Sequence, residues 1–280
     1  MKATAAALRR IGRASYSLAL SVAAGLAYGQ APANVSRTGP GIESQAQAGA
    51  LLARMGEFLA AAPAFSVTVS AGYDAVQKSG QKIEFGEMRK LTVSRPDRLR
   101  IDGESSDGAK TLTVFTGKSI VLVDATRNVY ATEPQPGGID ETVVHFVRDL
   151  GMRLPMAVLL VSQLPKELND RVRSVDYVEK TNILGSAAHH LAARTDSVDF
   201  QVWVADGDKP LPLRVVITYR KAKGEPQFWA QFSDWNLAPA IVASTFEAQP
   251  PSGAQKVAFA SQLPRLAASV PRPVAHKGAK

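Results

Sequence analysis

The chain has no cysteine. That absence excludes disulfides, cysteine-ligated zinc or iron–sulfur sites and a thiol nucleophile. It also excludes the lipid-modified cysteine that anchors a bacterial lipoprotein. Aromatic residues are sparse, at 7% of 280 residues. Acidic residues are missing from both ends. Residues 1–13 hold Lys2, Arg9, Arg10 and Arg13, and residues 261–280 hold Arg265, Arg272, Lys277 and Lys280, with no Asp or Glu in either stretch. These bases equal the whole formal charge of +8, so the sequence between the ends is neutral. No basic domain remains, and nucleic-acid binding loses its electrostatic ground. No G-x-S-x-G, G-x-G-x-x-G, P-loop, EF-hand or H-E-x-x-H string is present. What is present is ordinary globular composition, 45% hydrophobic and 21% charged, which excludes wholesale disorder and a collagen-like fibre.

The N-terminus has the layout of an export signal. The bases end at Arg13, and Ala14–Ala27 follows without a charge. Ala27-Tyr28-Gly29 places small residues at the −3 and −1 positions before Gln30, and Gly29-Gln30-Ala31 is a second candidate. The apolar run is diluted by Ser and Gly and falls short of the ~20 strongly apolar residues of a membrane span. The expectation is a cleaved signal peptide over 1–29, a linker over 30–41, a single domain over 42–258 and a disordered basic tail over 259–280. The mature protein is expected in the periplasm, soluble and monomeric.

Periodicity divides the domain. Leu51, Leu52, Met55, Phe58, Leu59 and Ala62 recur at spacings of three and four, which predicts a helix from Ile42 to Ala62, stopped by Pro63. Phe65, Val67, Val69, Ala71, Tyr73 and Ala75 then alternate with mostly polar residues, and Ile83, Phe85, Leu91 and Val93 continue the odd-numbered apolar face. Further strands are expected at Leu99–Ile101, 111–116, 119–124, 129–132, 175–182, 187–195, 198–205, 213–220 and 227–235, with Leu213, Val215, Ile217 and Tyr219 alternating in one of them. Between the two strand groups, Ile139, Val143, Phe146, Val147 and Leu150 form a helical stripe, and Pro155 is placed to open a short helix through Met156–Val161. About ten or eleven antiparallel strands in one sheet must curl strongly, and a mid-chain helical unit is its natural cap. The predicted class is α+β: a curled antiparallel sheet forming an unclosed barrel, with an N-terminal helix and a helical lid.

Several segments resemble the LolA/LolB-like fold of periplasmic lipoprotein carriers and outer-membrane lipoprotein receptors. They are Ser94-Arg95-Pro96-Asp97-Arg98-Leu99-Arg100, Thr116-Gly117-Lys118-Ser119-Ile120-Val121-Leu122-Val123 and Phe246-Glu247-Ala248-Gln249-Pro250-Pro251-Ser252-Gly253. Val202-Trp203-Val204-Ala205-Asp206, Pro210-Leu211-Pro212-Leu213-Arg214 and Phe232-Ser233-Asp234-Trp235 are similar to marks of a family of predicted periplasmic proteins, a domain of unknown function, within that superfamily. The resemblance implies a lidded half-barrel sheltering an acyl chain, a lipid or a lipoprotein anchor. Its cavity would be lined by Val67, Val69, Tyr73, Phe85, Leu91, Val93, Leu213, Val215 and Ile217. The lid would carry Ile139, Val143, Phe146, Val147 and Leu150. The resemblance also gives Arg95 the place of a cavity arginine that latches the lid. Its odd parity points it to the apolar face, where lid carbonyls or Glu87 would partner it; the alternative is a rim ion pair with a surface acid.

Other residues have two readings each. Trp203, Trp229 and Trp235 either line a cavity or pack the sheet. The helical stripe Ile139–Leu150 and the run Met156–Val161 are either a mobile lid or a fixed cover. His189 and His190 are neighbours on a strand, so they face opposite ways and do not share a metal. No cofactor, metal or catalytic residue is expected. An envelope stress sensor or protein-interaction module is the rival function, and a hydrolase with a dispersed triad the third.

Overall fold

The computed structural model describes residues 42–146 and 156–258. The basic ends and the lid residues Val147 and Leu150 lie outside the described residues. Twelve strands form one sheet. They are β1 Ala64–Val76, β2 Lys82–Ser94, β3 Arg98–Ser105, β4 Lys110–Phe115, β5 Ser119–Asp124, β6 Val129–Pro134, β7 Ser174–Ile183, β8 Ser186–Arg194, β9 Asp199–Ala205, β10 Pro212–Thr218, β11 Gln227–Asn236 and β12 Gln255–Lys256. Their spatial order is β12-β6-β5-β4-β3-β2-β1-β11-β10-β9-β8-β7. Thus β1 and β11 join two meanders into one sheet, and β7 and β12 are free edges. The sheet is an unclosed half-barrel, antiparallel throughout except for the two-residue pairing of β12 with β6. That short strand is the one missing from the sequence reading.

Among the described residues three α-helices accompany the sheet: α1 Ile42–Ala61, α2 Ile139–Val144 and α3 Leu164–Arg171. A 3₁₀ turn, Ala157–Leu160, stands where a short helix was expected after Pro155. α1 packs against β7, β9, α3 and the 3₁₀ turn. Ala48, Leu52, Met55 and Leu59 form its buried stripe, spaced four, three and four apart. Its exposed face keeps Arg54 and Glu57 in water. A Cβ on Gly56 would come within 3.0 Å of Leu168 Cδ1, so the glycine lets α3 approach α1 closely.

The inner face carries Phe65, Val67, Val69 and Ala71 of β1, Val93 of β2, Leu99 of β3, Phe115 of β4 and Ile120 of β5, all buried. Three bulges edit the alternation. Val178 is the extra residue in β7, Leu213 in β10, and β11 slips between Ser233 and Asn236. Asp234 has φ +53° there, a conformation Asp tolerates better than most residues.

The outer face of β8–β11 carries a ring ladder. His190 stacks on Trp203 at 4.1 Å, and the Arg214 guanidinium lies 5.9 Å from the Trp203 ring and 5.1 Å from Trp229. Trp229 lies over Gly72, where a Cβ would sit 2.6 Å from the indole Nε1. Gly72→Ala is therefore expected to cost about 1–3 kcal/mol through overpacking. Urea unfolding followed by tryptophan fluorescence checks this; an unchanged midpoint would mean that the indole swings clear.

Candidate functional site

The concave face is only partly filled. Under α1 and the C-terminal half of β2 the core is packed: Leu59, Val93 and Phe115 are each 0% exposed. Toward β9 and β10 a hollow of about 750 Å³ remains. Its floor is Phe200, Val202, Val215 and Ile217, and its roof includes Met55, Val143, Leu164 and Leu168. A second hollow of about 70 Å³ lies over β1, β2 and β11, among Val67, Val69, Leu91, Phe232 and Trp235. Met156, Ala157 and Leu159 belong to both linings, so the 3₁₀ turn and the residue before it are a shared wall.

That wall is pinned twice. Arg95 Nη1 donates to the Leu160 carbonyl at 2.6 Å. The Asp140 carboxylate in the first turn of α2 accepts from Ser162 N at 2.9 Å and from Ser162 Oγ at 2.5 Å. Arg95 also donates from Nε to Ala62 O at 3.1 Å and from Nη2 to Leu59 O at 3.4 Å. The last turn of α1 has no basic residue, so a guanidinium from beyond the end of β2 satisfies the carbonyls there. Burial pulls the Arg95 guanidinium below its usual value, and the charge of Asp140 opposes that shift. Its hydrogen-bond partners are backbone carbonyls. Glu87 accepts instead from Arg89, two residues along the same face, at 2.8 Å.

The rim of the larger hollow is charged but balanced. Arg173 pairs with Asp196 at 2.7 Å and Arg171 with Glu167 at 2.6 Å, while Asp170 pairs with Lys166. The hydrogen bond from Arg173 holds the Asp196 carboxyl below its usual value, and the one from Lys166 does the same for Asp170. Paired charges outside an apolar floor suit an amphiphile or an apolar chain better than an ion.

The cavity residues read from the sequence divide among several places. Val67, Val69 and Leu91 line the small hollow, and Val215 and Ile217 the large one. Val93 is in the packed core. Tyr73 and Phe85 stack on each other at 5.9 Å and line neither hollow. Leu213 is the unpaired residue of the β10 bulge and stands outside the core cluster. Of the lid stripe, Ile139, Val143 and Phe146 are buried in the core, and Val143 also roofs the large hollow. Of the three tryptophans, Trp235 alone faces inward, 5.5 Å from Phe65 and 5.9 Å from Phe232, with its Nε1 donating to Pro212 O.

Sequence reasoning missed the floor residues Phe200 and Val202 and the pairing of Glu87 with Arg89, whereas the wall residues Met156 and Leu159 fall in the run 156–161 that it read as a short helix of the lid or of a fixed cover. The alternation of Phe200, Val202 and Val204 on β9 was the available signal for the floor. His189 is held between Tyr177 OH and Asp206, each at 3.0 Å. This Asp–His–Tyr row has a triad's order, but none of the three residues lines the hollows described above. Among the described residues no cluster of His, Asp or Glu is arranged to hold a metal ion, and no helix is long and apolar enough to cross a membrane.

The family model described as predicted periplasmic protein (DUF2092) matches residues 48–260. The chain belongs to this family. No curated protein matches it. Solved structures similar to this DUF2092 chain include LprF from Mycobacterium bovis, with TM-score 0.47 and 13% identity, covering 72% of this chain and 97% of that one. A LolA superfamily protein from Nitrosomonas europaea is similar with TM-score 0.38 and 10% identity, over 72% of this chain and 97% of that one. The MucA/MucB complex of Pseudomonas aeruginosa gives TM-score 0.40 and 18% identity, over 72% of this chain and 61% of that one.

Proposed function

We propose that this DUF2092 protein is exported through a signal peptide cleaved before Gln30 and works in the periplasm as a binding protein for an apolar ligand, an acyl chain or lipid. The observation that carries the reading is the hollow of about 750 Å³ whose floor is Phe200, Val202, Val215 and Ile217. Its size lies within the range of small-molecule sites, about 300–1,000 Å³. Burial of apolar surface there contributes about 25 cal/mol per Å² before the costs of association. No strong polar contact is then needed for useful affinity. The ligand enters past the paired charges of the rim. Arg95 acts as the latch: it ties the wall to the end of α1, so that the wall yields only when those hydrogen bonds open.

Protein expressed with its own N-terminus and purified from the periplasm tests this. Intact mass should begin at Gln30, the organic extract should be enriched in an acyl lipid, and the uncharged dye N-phenyl-naphthylamine should bind saturably and be displaced by palmitate. Absence of both enriched lipid and saturable dye uptake would overturn the binding function.

A further inference from the structure

Glu87 and Arg89 are the charged members of the small hollow's lining, among Val67, Val69, Leu91 and Phe232. They are neighbours on one face of β2, and their side chains are 18% and 24% exposed. Such a pair is costly. Two ions lose most of their hydration, and an apolar pair of similar volume in that place is often neutral or stabilising. The pair is also incomplete. Arg89 donates one hydrogen bond to Glu87 Oε2, from Nη2, and makes no other among the described residues. A guanidinium has five N–H donors in a planar fork. The same lining runs past Leu91 to Met156 and Leu159 of the wall.

We infer that Arg89 is the head-group residue of the binding site: it receives the oxygen acceptors of an acyl ligand, with the hydrocarbon running inward along Leu91 and Val67. The inference rests on the binding function proposed above and narrows it to ligands with an anionic oxygen head. A free fatty acid and an acylated phosphate share that chemistry, and both offer a guanidinium more than one oxygen acceptor. Glu87 orients the guanidinium from one side and, by its own charge, limits how tightly an anion is held. The pair therefore sets selectivity between a carboxylate and its uncharged ester.

Displacement of N-phenyl-naphthylamine by palmitate, by dodecyl phosphate and by methyl palmitate tests this on the full chain. Glu87→Gln removes the repelling charge and keeps the shape, so both anions should bind several-fold more tightly while the ester is unmoved. Adding Arg89→Gln to Glu87→Gln removes the guanidinium without stranding a carboxylate. Anion affinity should then fall about tenfold or more relative to the single variant, the size expected for losing a charge-assisted hydrogen bond, and the ester should change less than about threefold. A loss for palmitate alone assigns the head to a carboxylate, and a loss for dodecyl phosphate alone to a phosphate. Equal losses for anion and ester, or no loss in the double variant, would overturn the role of Arg89 while leaving apolar binding intact. If the dye binds the wild-type chain saturably but neither anion displaces it, the role of Arg89 is overturned; if the dye does not bind and no lipid is enriched, the binding function itself fails.

Discussion

Arg95→Leu should lower the stability of the domain by about 2–3 kcal/mol and speed both entry and exit of an apolar dye. The guanidinium serves the carbonyls of Leu59, Ala62 and Leu160 together. Leucine fills part of the volume and offers no donor, so partly buried acceptors lose their partner at about 1 kcal/mol each. In a domain of this length that is a fall of roughly 5–10 °C in Tm. The kinetic effect has a separate origin. Leu160 is in the wall between the two hollows, and after the substitution the side-chain hydrogen bonds left to that wall, among the described residues, are those between Asp140 and Ser162. Calorimetry measures the first effect and stopped-flow dye fluorescence the second. A variant that loses stability with unchanged dye kinetics would make Arg95 a helix cap and no latch; unchanged stability would place it at the rim, paired with solvent.

The packed half of the core should respond to truncation far more strongly than the hollow half. Leu59→Ala is expected to cost about 3–5 kcal/mol, because Leu59 is 0% exposed and its neighbours are fixed by α1 and the sheet. Val215→Ala, although Val215 is only 5% exposed, should cost about 1–2 kcal/mol, since part of its surface already faces empty space. Chemical denaturation of both variants gives the comparison. Leu59 lines neither hollow, so dye affinity should survive in Leu59→Ala wherever the protein stays folded. Equal costs at the two positions would mean that the hollow collapses in solution.

Much of this arrangement was readable from residue order. α1 and the long strands were visible because apolar residues repeat with the period of the element that buries them. The inward aim of Arg95 followed from its parity with Leu91 and Val93. Three things escaped for physical reasons. Parity puts Trp229 and Trp235 on one face, but the bulge at Asp234 turns Trp235 inward and leaves Trp229 over Gly72; an Asp at positive φ leaves no periodic trace. Leu213 joins a clean alternation in the sequence, yet it is the residue that the β10 bulge leaves over. α3 was missed because it buries little of itself, with Leu164 fully covered, Leu168 partly covered and most of the rest polar. As for the partner of Arg95, Glu87 was a reasonable candidate until the nearer Arg89 is considered, since i and i+2 on a strand share a face and compete for the same charge.

The wall between the hollows is made of side chains, and Met156 is the most pliable of them. With the wall in place the inner hollow has room for a few waters. With Met156 and Leu159 turned aside, it and the large hollow would form one channel that starts at Arg89. On the proposed binding function the wall is a soft stop on chain length: a short chain with its head at Arg89 would end at the methionine, and a longer one would be admitted in proportion to the work of moving it.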